Sequence, residues 1–475
     1  MPSMLQFFVT QLAASLGKSY VLTQDSDMAP YLTDWRQRFT GKALAVVLPG
    51  STKEVAQIVK ACAQANISIV PQGGNTSFCG GATPDNSGNQ IVLSLKRLNN
   101  IREIDILNQT ISVEAGCILQ TIQEQAAAQS YLFPLSLGSQ GSCQIGGNLA
   151  TNAGGTNVLR YGNARDLCLG IEVVTAQGEI WHGMKGLRKD NTGYDLRDLF
   201  IGSEGSLGII TAAVMKLYPL PVAQWTTLVA TQNIASTVAL LNLFQKRAVS
   251  LLTGFEMMAL ESLTLLEKHF PHMTNPLRNK PAFTILIELS DHESEAHVRQ
   301  LLESILEEAL ALEIISDAVI ASNLSQSNLF WHMREHITVA QSEEGANLKH
   351  DISIPLVALE QFVQETNHLL KAQFPGVRLI NFGHLGDGNL HYNVSAPEGI
   401  NSQEFTQTYE KPIQELIYAQ VELFQGSISA EHGVGQLKLD VLRAHKGVVA
   451  HELMKTLKRA LDPQNILNPS KVISV

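Results

Sequence analysis

No apolar run in this chain is long enough to cross a bilayer, and no block of lysine or arginine stands out. The first absence argues against a membrane-spanning protein. The second, with 34 Lys+Arg against 44 Asp+Glu and a formal net charge of −10, argues against nucleic acid and anionic membranes as partners. Cysteine is scarce. Cys62, Cys79, Cys117, Cys143 and Cys168 are odd in number, widely spaced and confined to the first half, with no C-x-x-C. That excludes a zinc ribbon and leads to the expectation of reduced thiols in a cytoplasmic protein. No G-x-G-x-x-G follows a strand, so a Rossmann site is not expected, and there is no Walker A loop. "HESEAH" (292–297) is one residue too long for a metalloprotease helix. Internal repeats of 20–50 residues and low-complexity segments are also missing.

What remains is 475 residues with 45% hydrophobic and 16% charged content. This is an ordinary globular balance, too long for one core, so two or three domains are expected. The first cation is Lys18, so the leading segment lacks a basic start. Leu5, Phe8, Val9, Leu12 and Leu16 instead follow helical spacing. Residues 43–77 read as strand, helix, strand. Ser51 and Glu54 form a capping box, Val55, Ile58, Val59 and Cys62 make the helix's buried stripe, and the two strands are expected to be parallel neighbours. A looser copy of the pattern spans 111–130. Residues 171–180 read as a hairpin turning at Gln177 and Gly178. Pro219 and Pro221 mark a boundary. Beyond it, strands at 282–289 and 348–355 alternate with helical patterns near 292–311, 324–344, 356–373 and 402–425, an α+β arrangement. The tail "ALDPQNILNPSKVISV" is expected to dock back on another domain.

Three stretches invite chemistry. "PQGGNT" (71–76) follows a strand, and its glycines let backbone N–H groups converge on an anion; a tight turn is the rival. Residues 138–162 are crowded with Gly, Asn, Ser and Thr. They suit a backbone lying close to a large planar ligand. Cys143 within them reads as a small buried residue. "HLGDGNLHYN" (384–393) puts His384 and His391 at the ends of a glycine-rich loop, either as metal ligands or as incidental residues of a hairpin.

"PQGGNTS", "GSCQIGGNLATNAGG", "GSEGSLGI", "GHLGDGNLH", "AEHGVGQLK" and "DPQNILNPSKV" occur in this order. Together they resemble the FAD-linked D-2-hydroxyacid dehydrogenases of the vanillyl-alcohol-oxidase-type flavoprotein superfamily, over roughly residue 40 onward. The resemblance implies an α+β protein. A two-subdomain α/β FAD-binding domain spans 1–221, an α+β substrate cap 222–427, and a C-terminal segment 428–475 packs back on the FAD domain. It implies FAD contacts from Gln72, Gly73, Gly74, Asn75, Thr76 and Ser77, and from Pro134, Ser139, Gly146, Gly147, Asn148, Thr151, Gly154, Gly155 and Tyr161. Glu204, Gly205 and Ile209 complete the set. The first glycine loop has no histidine, so the FAD is expected to be noncovalent. His384, His391 and Glu431 are implied as ligands of Zn²⁺ or another divalent metal, and His432 as the catalytic base. Arg334, Thr338, Lys349 and Asn393 are implied in the substrate pocket. The implied partners are a small 2-hydroxy acid and an electron acceptor such as electron-transfer flavoprotein or a quinone. A homodimer is compatible with this reading.

The chemistry suits these residue types. A metal-bound hydroxyl is a stronger acid, and two histidines with one carboxylate leave positions open for substrate oxygens. An imidazole near its ordinary pKa of about 6.5 suits a base at neutral pH. Glu431 and His432 point opposite ways in an extended segment, so a bend at Gly433 or Gly435 is expected. The resemblance, with the count of cations it places in the pocket, implies D-2-hydroxyglutarate in preference to D-lactate, with D-malate intermediate or comparable. The alternatives are D-lactate or glycolate oxidation on the same fold, a zinc hydrolase, and a non-catalytic FAD-binding subunit.

Overall fold

Ser51 caps the helix Thr52–Ala65 by accepting the Glu54 N–H at 3.2 Å, and Glu54 reaches back to the Gly50 N–H at 2.7 Å. Asn66, left-handed at φ 53°, ends the helix. Its stripe of Val55, Ile58, Val59 and Cys62 is buried in a core shared with Phe8, Leu12 and Leu16 of the first helix, as amphipathic spacing requires. The flanking strands Ala45–Val47 and Ser68–Gln72 do run parallel but are not neighbours. Strand Gln90–Ser94 lies between them and pairs with both. All five of its residues are buried, and a strand buried on both faces belongs in the middle of a parallel sheet.

The looser copy at 111–130 is not a second parallel unit. Thr110–Glu114 belongs to a five-stranded antiparallel sheet ordered Ile101–Asp105, Thr110–Glu114, Ile209–Lys216, Cys168–Val174, Ile180–Gly183. Tyr131–Leu132, after the helix Leu119–Ala127, instead pairs with Tyr218–Pro219. The hairpin turns through Gly178 at φ 75°. All five cysteines are buried, with no disulfide among the described residues.

These features come from a computed structural model that describes residues 4–475. The chain forms two compact units. The first comprises Met1–Gly154, Gly162–Pro219 and Glu431–Val475, and the second Gly155–Tyr161 with Leu220–Ala430. The short piece 155–161 therefore falls outside the unit in which the sequence reading put it. The segment 431–475 belongs to the first unit. There Ile69 donates to the Ile466 carbonyl and Asn468 donates to the Ile69 carbonyl, at 2.7 and 2.8 Å.

The second unit is built on an antiparallel sheet. Its order is Asp317–Ile320, Ala223–Thr231, Phe283–Asp291, Leu252–Ala259, Arg378–Gly383, Asn389–Ser395, Asn347–Leu348, and Asp351–Ser353 also pairs with Asn389–Ser395. Helices cover Glu295–Ala311, Leu324–Glu344, Leu359–Gln373 and Ser402–Leu423. The strand expected over 348–355 is broken, and Lys349 and His350 lie in the break.

Candidate active site

In the first unit, strand Ser68–Gln72 delivers the chain into the first glycine loop. Gln72 anchors the turn by donating to the carbonyls of Tyr31 and Ala82, both at 2.9 Å. Gly74 is obligatory, because a Cβ there would lie 2.2 Å from the Ser142 carbonyl oxygen. The next residue, Asn75, is left-handed at φ 54° and donates its amide to the Thr33 carbonyl at 2.8 Å. The two glycine-rich stretches thus pack backbone to backbone.

Around Gly147 the situation is reversed. A Cβ there would meet nothing within 4 Å. Beside it, Asn148 Oδ1 and Gln144 Oε1 are buried without a hydrogen-bond partner, although buried polar atoms are normally paired. Open space next to orphaned acceptors fits a bound group that carries its own donors, as FAD does. Ser139 spends its carbonyl on Cys143 N–H at 2.8 Å, and Thr151 its hydroxyl on the Gly147 carbonyl at 3.0 Å. Pro134 is buried. Burial pushes the Cys143 thiol up, which suits an inert packing residue.

Glu204, expected as an FAD contact, also bonds within the protein. It is left-handed at φ 52°, and its carboxylate accepts from Val434 N–H at 2.7 Å and Gly435 N–H at 2.9 Å. Burial pushes the carboxyl up against these bonds. Its own carbonyl accepts from the Asn468 amide at 2.7 Å. Glu204 therefore ties the loop 202–208 to the segment after His432. Gly205, at φ 72°, abuts Pro71, and Ile209 opens the following strand. The expected bend near His432 is present: Gly433 and Gly435 have φ of 73° and 52°. A Cβ on Gly433 would lie 2.6 Å from Glu204 Oε1. Phe78, just past the first glycine loop, meets the His432 ring.

In the second unit His384 leaves strand Arg378–Gly383 and His391 lies within Asn389–Ser395. The β-hairpin brings their ring centroids to 5.5 Å. Each has a carboxylate at Nδ1. Glu256 Oε1 lies 2.6 Å from His384, and Asp351 Oδ1 lies 3.8 Å from His391. A carboxylate only accepts, so His384 donates from Nδ1 and turns Nε2 away as a ligand atom. A histidine held by a carboxylate in this way is the usual outer shell of a metal site, so the donor set fits a divalent ion. Asn389 fixes Asp351 with a 2.9 Å hydrogen bond. Glu431 directly follows Ala430, whose N–H donates to the Asp351 carbonyl at 3.2 Å.

Arg334 is buried on helix Leu324–Glu344, with its guanidinium over Phe382. It is not an uncompensated cation, because its Nε donates to Glu256 Oε2 at 2.8 Å. Burial pushes the Glu256 carboxyl up, but His384 and Arg334 outweigh this and hold it below its ordinary range. Thr338 is half-buried one turn along the same helix. Asn393 is buried. Its Oδ1 accepts the His350 N–H at 3.1 Å and its amide donates to Gln341 at 3.0 Å, which leaves at most one N–H for a substrate. Lys349 is half-buried. Sequence reasoning missed Glu256 and Asp351. Glu256 left a trace: it is the only charge in "LTGFEMMA", a strand buried at every position, where an unpaired carboxylate would be costly.

Residues 43–183 match the family model described as "FAD binding domain" and residues 220–472 match "FAD linked oxidases, C-terminal domain". The mitochondrial D-2-hydroxyglutarate dehydrogenase of Arabidopsis thaliana is 36% identical over 458 residues, covering 96% of this chain and 80% of that protein. A Schizosaccharomyces pombe relative provisionally named a mitochondrial D-lactate dehydrogenase is 37% identical over 464 residues, covering 95% and 86%. Among solved structures, p-cresol methylhydroxylase aligns at a TM-score of 0.79 with 18% identity, covering 98% of this chain and 96% of that one. A 4-ethylphenol oxidase of Gulosibacter chungangensis aligns at 0.75 with 17% identity, covering 100% and 98%. These two carry the fold alone.

The relatives correct one expectation. Several are named mitochondrial, which overturns the cytoplasmic assignment. Cysteine count and spacing do not distinguish one reducing compartment from another. The hydrolase and non-catalytic readings give way as well. Two flavin-family matches and over 90% coverage by dehydrogenase relatives make the chain an FAD-dependent oxidoreductase acting on CH–OH donors, and it belongs to the FAD-linked D-2-hydroxyacid dehydrogenases of the vanillyl-alcohol-oxidase type.

Proposed function

We propose that the protein oxidises D-2-hydroxyglutarate, and D-malate less well, to the 2-oxo acid, with noncovalent FAD and a divalent metal, zinc first. The observation that carries this reading is the buried Arg334–Glu256–His384 array. It fixes Arg334 through Nε and leaves the outer fork of its guanidinium to grip a carboxylate. When bound, FAD would supply a hydride acceptor for the substrate's Cα, and a divalent ion would supply Lewis acidity toward its hydroxyl. His384, His391 and Glu431 hold the metal, and His432 removes the hydroxyl proton. Arg334, Thr338 and Lys349 hold the distal carboxylate, and the remaining amide N–H of Asn393 orients the near one. Gly73, Gly74, Asn75 and Thr76 would cradle the pyrophosphate. Electron-transfer flavoprotein or a quinone would be the electron acceptor.

The rival is D-lactate oxidation, which the Schizosaccharomyces pombe relative's name favours. Anaerobic flavin reduction by D-2-hydroxyglutarate, D-malate and D-lactate separates the two. The diacids should have the higher kcat/KM, and Arg334→Lys, which keeps the charge but loses the fork, should harm them at least tenfold more than D-lactate. Better wild-type turnover of D-lactate makes the rival correct. Chelation should slow reduction without releasing flavin, and full activity in metal-free protein removes the metal. Acid precipitation should free the flavin; flavin that stays with the pellet makes the link covalent.

A further inference from the structure

We propose that Glu256 is a positioning residue that couples metal retention at His384 to diacid recognition at Arg334. The inference rests on the reading above and extends it to a buried residue that bonds both His384 and Arg334.

Glu256 is 1% exposed, in the middle of strand Leu252–Ala259. Its two oxygens are divided: Oε1 takes His384 Nδ1 at 2.6 Å and Oε2 takes Arg334 Nε at 2.8 Å. All three groups lie within the second unit. A single carboxylate thus sets the ring orientation of the one and the fork direction of the other. The two functions come from separate elements, a strand end and a helix, and Glu256 is a bonded link between them. Two donors converge on one acceptor-only group, which a neutral amide cannot imitate. Glutamine offers a single oxygen, so one of the two donors would face an NH₂.

The test uses purified holoenzyme carrying Glu256→Gln. Three quantities are read: zinc retained after dialysis, by elemental analysis; zinc affinity, by titration of the chelated protein; and KM and kcat for D-2-hydroxyglutarate and D-lactate. Zinc affinity should fall roughly 10–100-fold, the usual cost of losing a ligand's outer-shell partner. The KM for the diacid should rise at least tenfold in zinc-saturated enzyme, with kcat changed far less and the D-lactate KM little moved. Flavin content should stay at the wild-type level. A purely structural glutamate would lower stability without this joint signature. If Glu256→Gln does not fold, the double variant Glu256→Met/Arg334→Met removes the buried charges together, a change cores tolerate, and must still show the zinc loss. Wild-type zinc binding and diacid preference with an unchanged variant overturn the coupling alone. A wild type that holds no zinc overturns the reading beneath it as well.

Discussion

The rings of Phe78 and His432 meet edge to face, with centroids 4.6 Å apart and planes at 80°. The residue that leaves the first glycine loop therefore packs on the proposed base. His432→Ala should slow flavin reduction ~10²–10⁴-fold while flavin content and the folding transition stay near wild type. Phe78→Leu, which keeps bulk but loses the ring edge, should cost far less. Stopped-flow flavin bleaching measures both. A loss under about tenfold for His432→Ala would move the base elsewhere.

Gly433→Ala should be worse than its size suggests. The backbone there is left-handed and the added methyl meets Glu204 Oε1. The conformation alone costs about 1–2 kcal/mol, and relief requires the His432 segment to shift. Reduction should slow at least tenfold, with a small drop in Tm. A wild-type rate would mean that the segment's position is not critical.

Lys458 is fully buried. Its ammonium donates to Asp462 at 2.6 Å and to the carbonyls of Leu467 and Ser206 at 2.7 and 2.8 Å. Lys458→Met leaves Asp462 buried beside an apolar chain, at a cost of ~3–5 kcal/mol. Denaturant titration should show that loss. Ser206 lies in the loop 202–208, so flavin should also dissociate more readily.

Glu344 gathers Lys268, His269 and Arg378 at 2.7, 2.7 and 2.6 Å. Burial pushes its carboxyl up, but those donors outweigh it and hold it at about 2, against an ordinary 4.5. A depressed carboxyl stabilises the fold fully above its unfolded value and loses that contribution as pH falls through its folded one. Glu344→Gln should therefore lower stability at pH 7 by on the order of 1–3 kcal/mol. The gap to wild type should close between about pH 4.5 and 2. Urea midpoints across that range test it, and a constant gap would disprove the linkage.

Local signals in the sequence carried the helices well. Ser51 and Glu54 marked a real cap, and the stripe Val55–Cys62 is buried. Strand adjacency was not legible, because nothing near Ala45–Val47 says that Gln90–Ser94 will insert beside it. Pairing over forty residues is a tertiary choice. The glycine loops and the histidines of the hairpin were visible as residue types. Their carboxylate partners were not, because Glu256 lies 128 residues from His384. A lone acid in an otherwise apolar strand is the cue that points to such a partner. Glu172 sits in its strand in the same way, bonded to the hydroxyls of Thr52 and Thr211.

The division of the chain has a consequence during biosynthesis. The second unit needs only residues 155–161 and 220–430, and all of these have been translated before Glu431 appears. The flavin-side unit needs residues 431–475 to cap Ile69, engage Glu204 and bury Lys458. On the ribosome the later-encoded unit can therefore finish first. The earlier-encoded one must wait with Gln90–Ser94 and its parallel neighbours lacking their last partner, a long-range closure that folds slowly and leaves apolar edges open. Nascent chains stalled near residue 430 should therefore depend on holding chaperones.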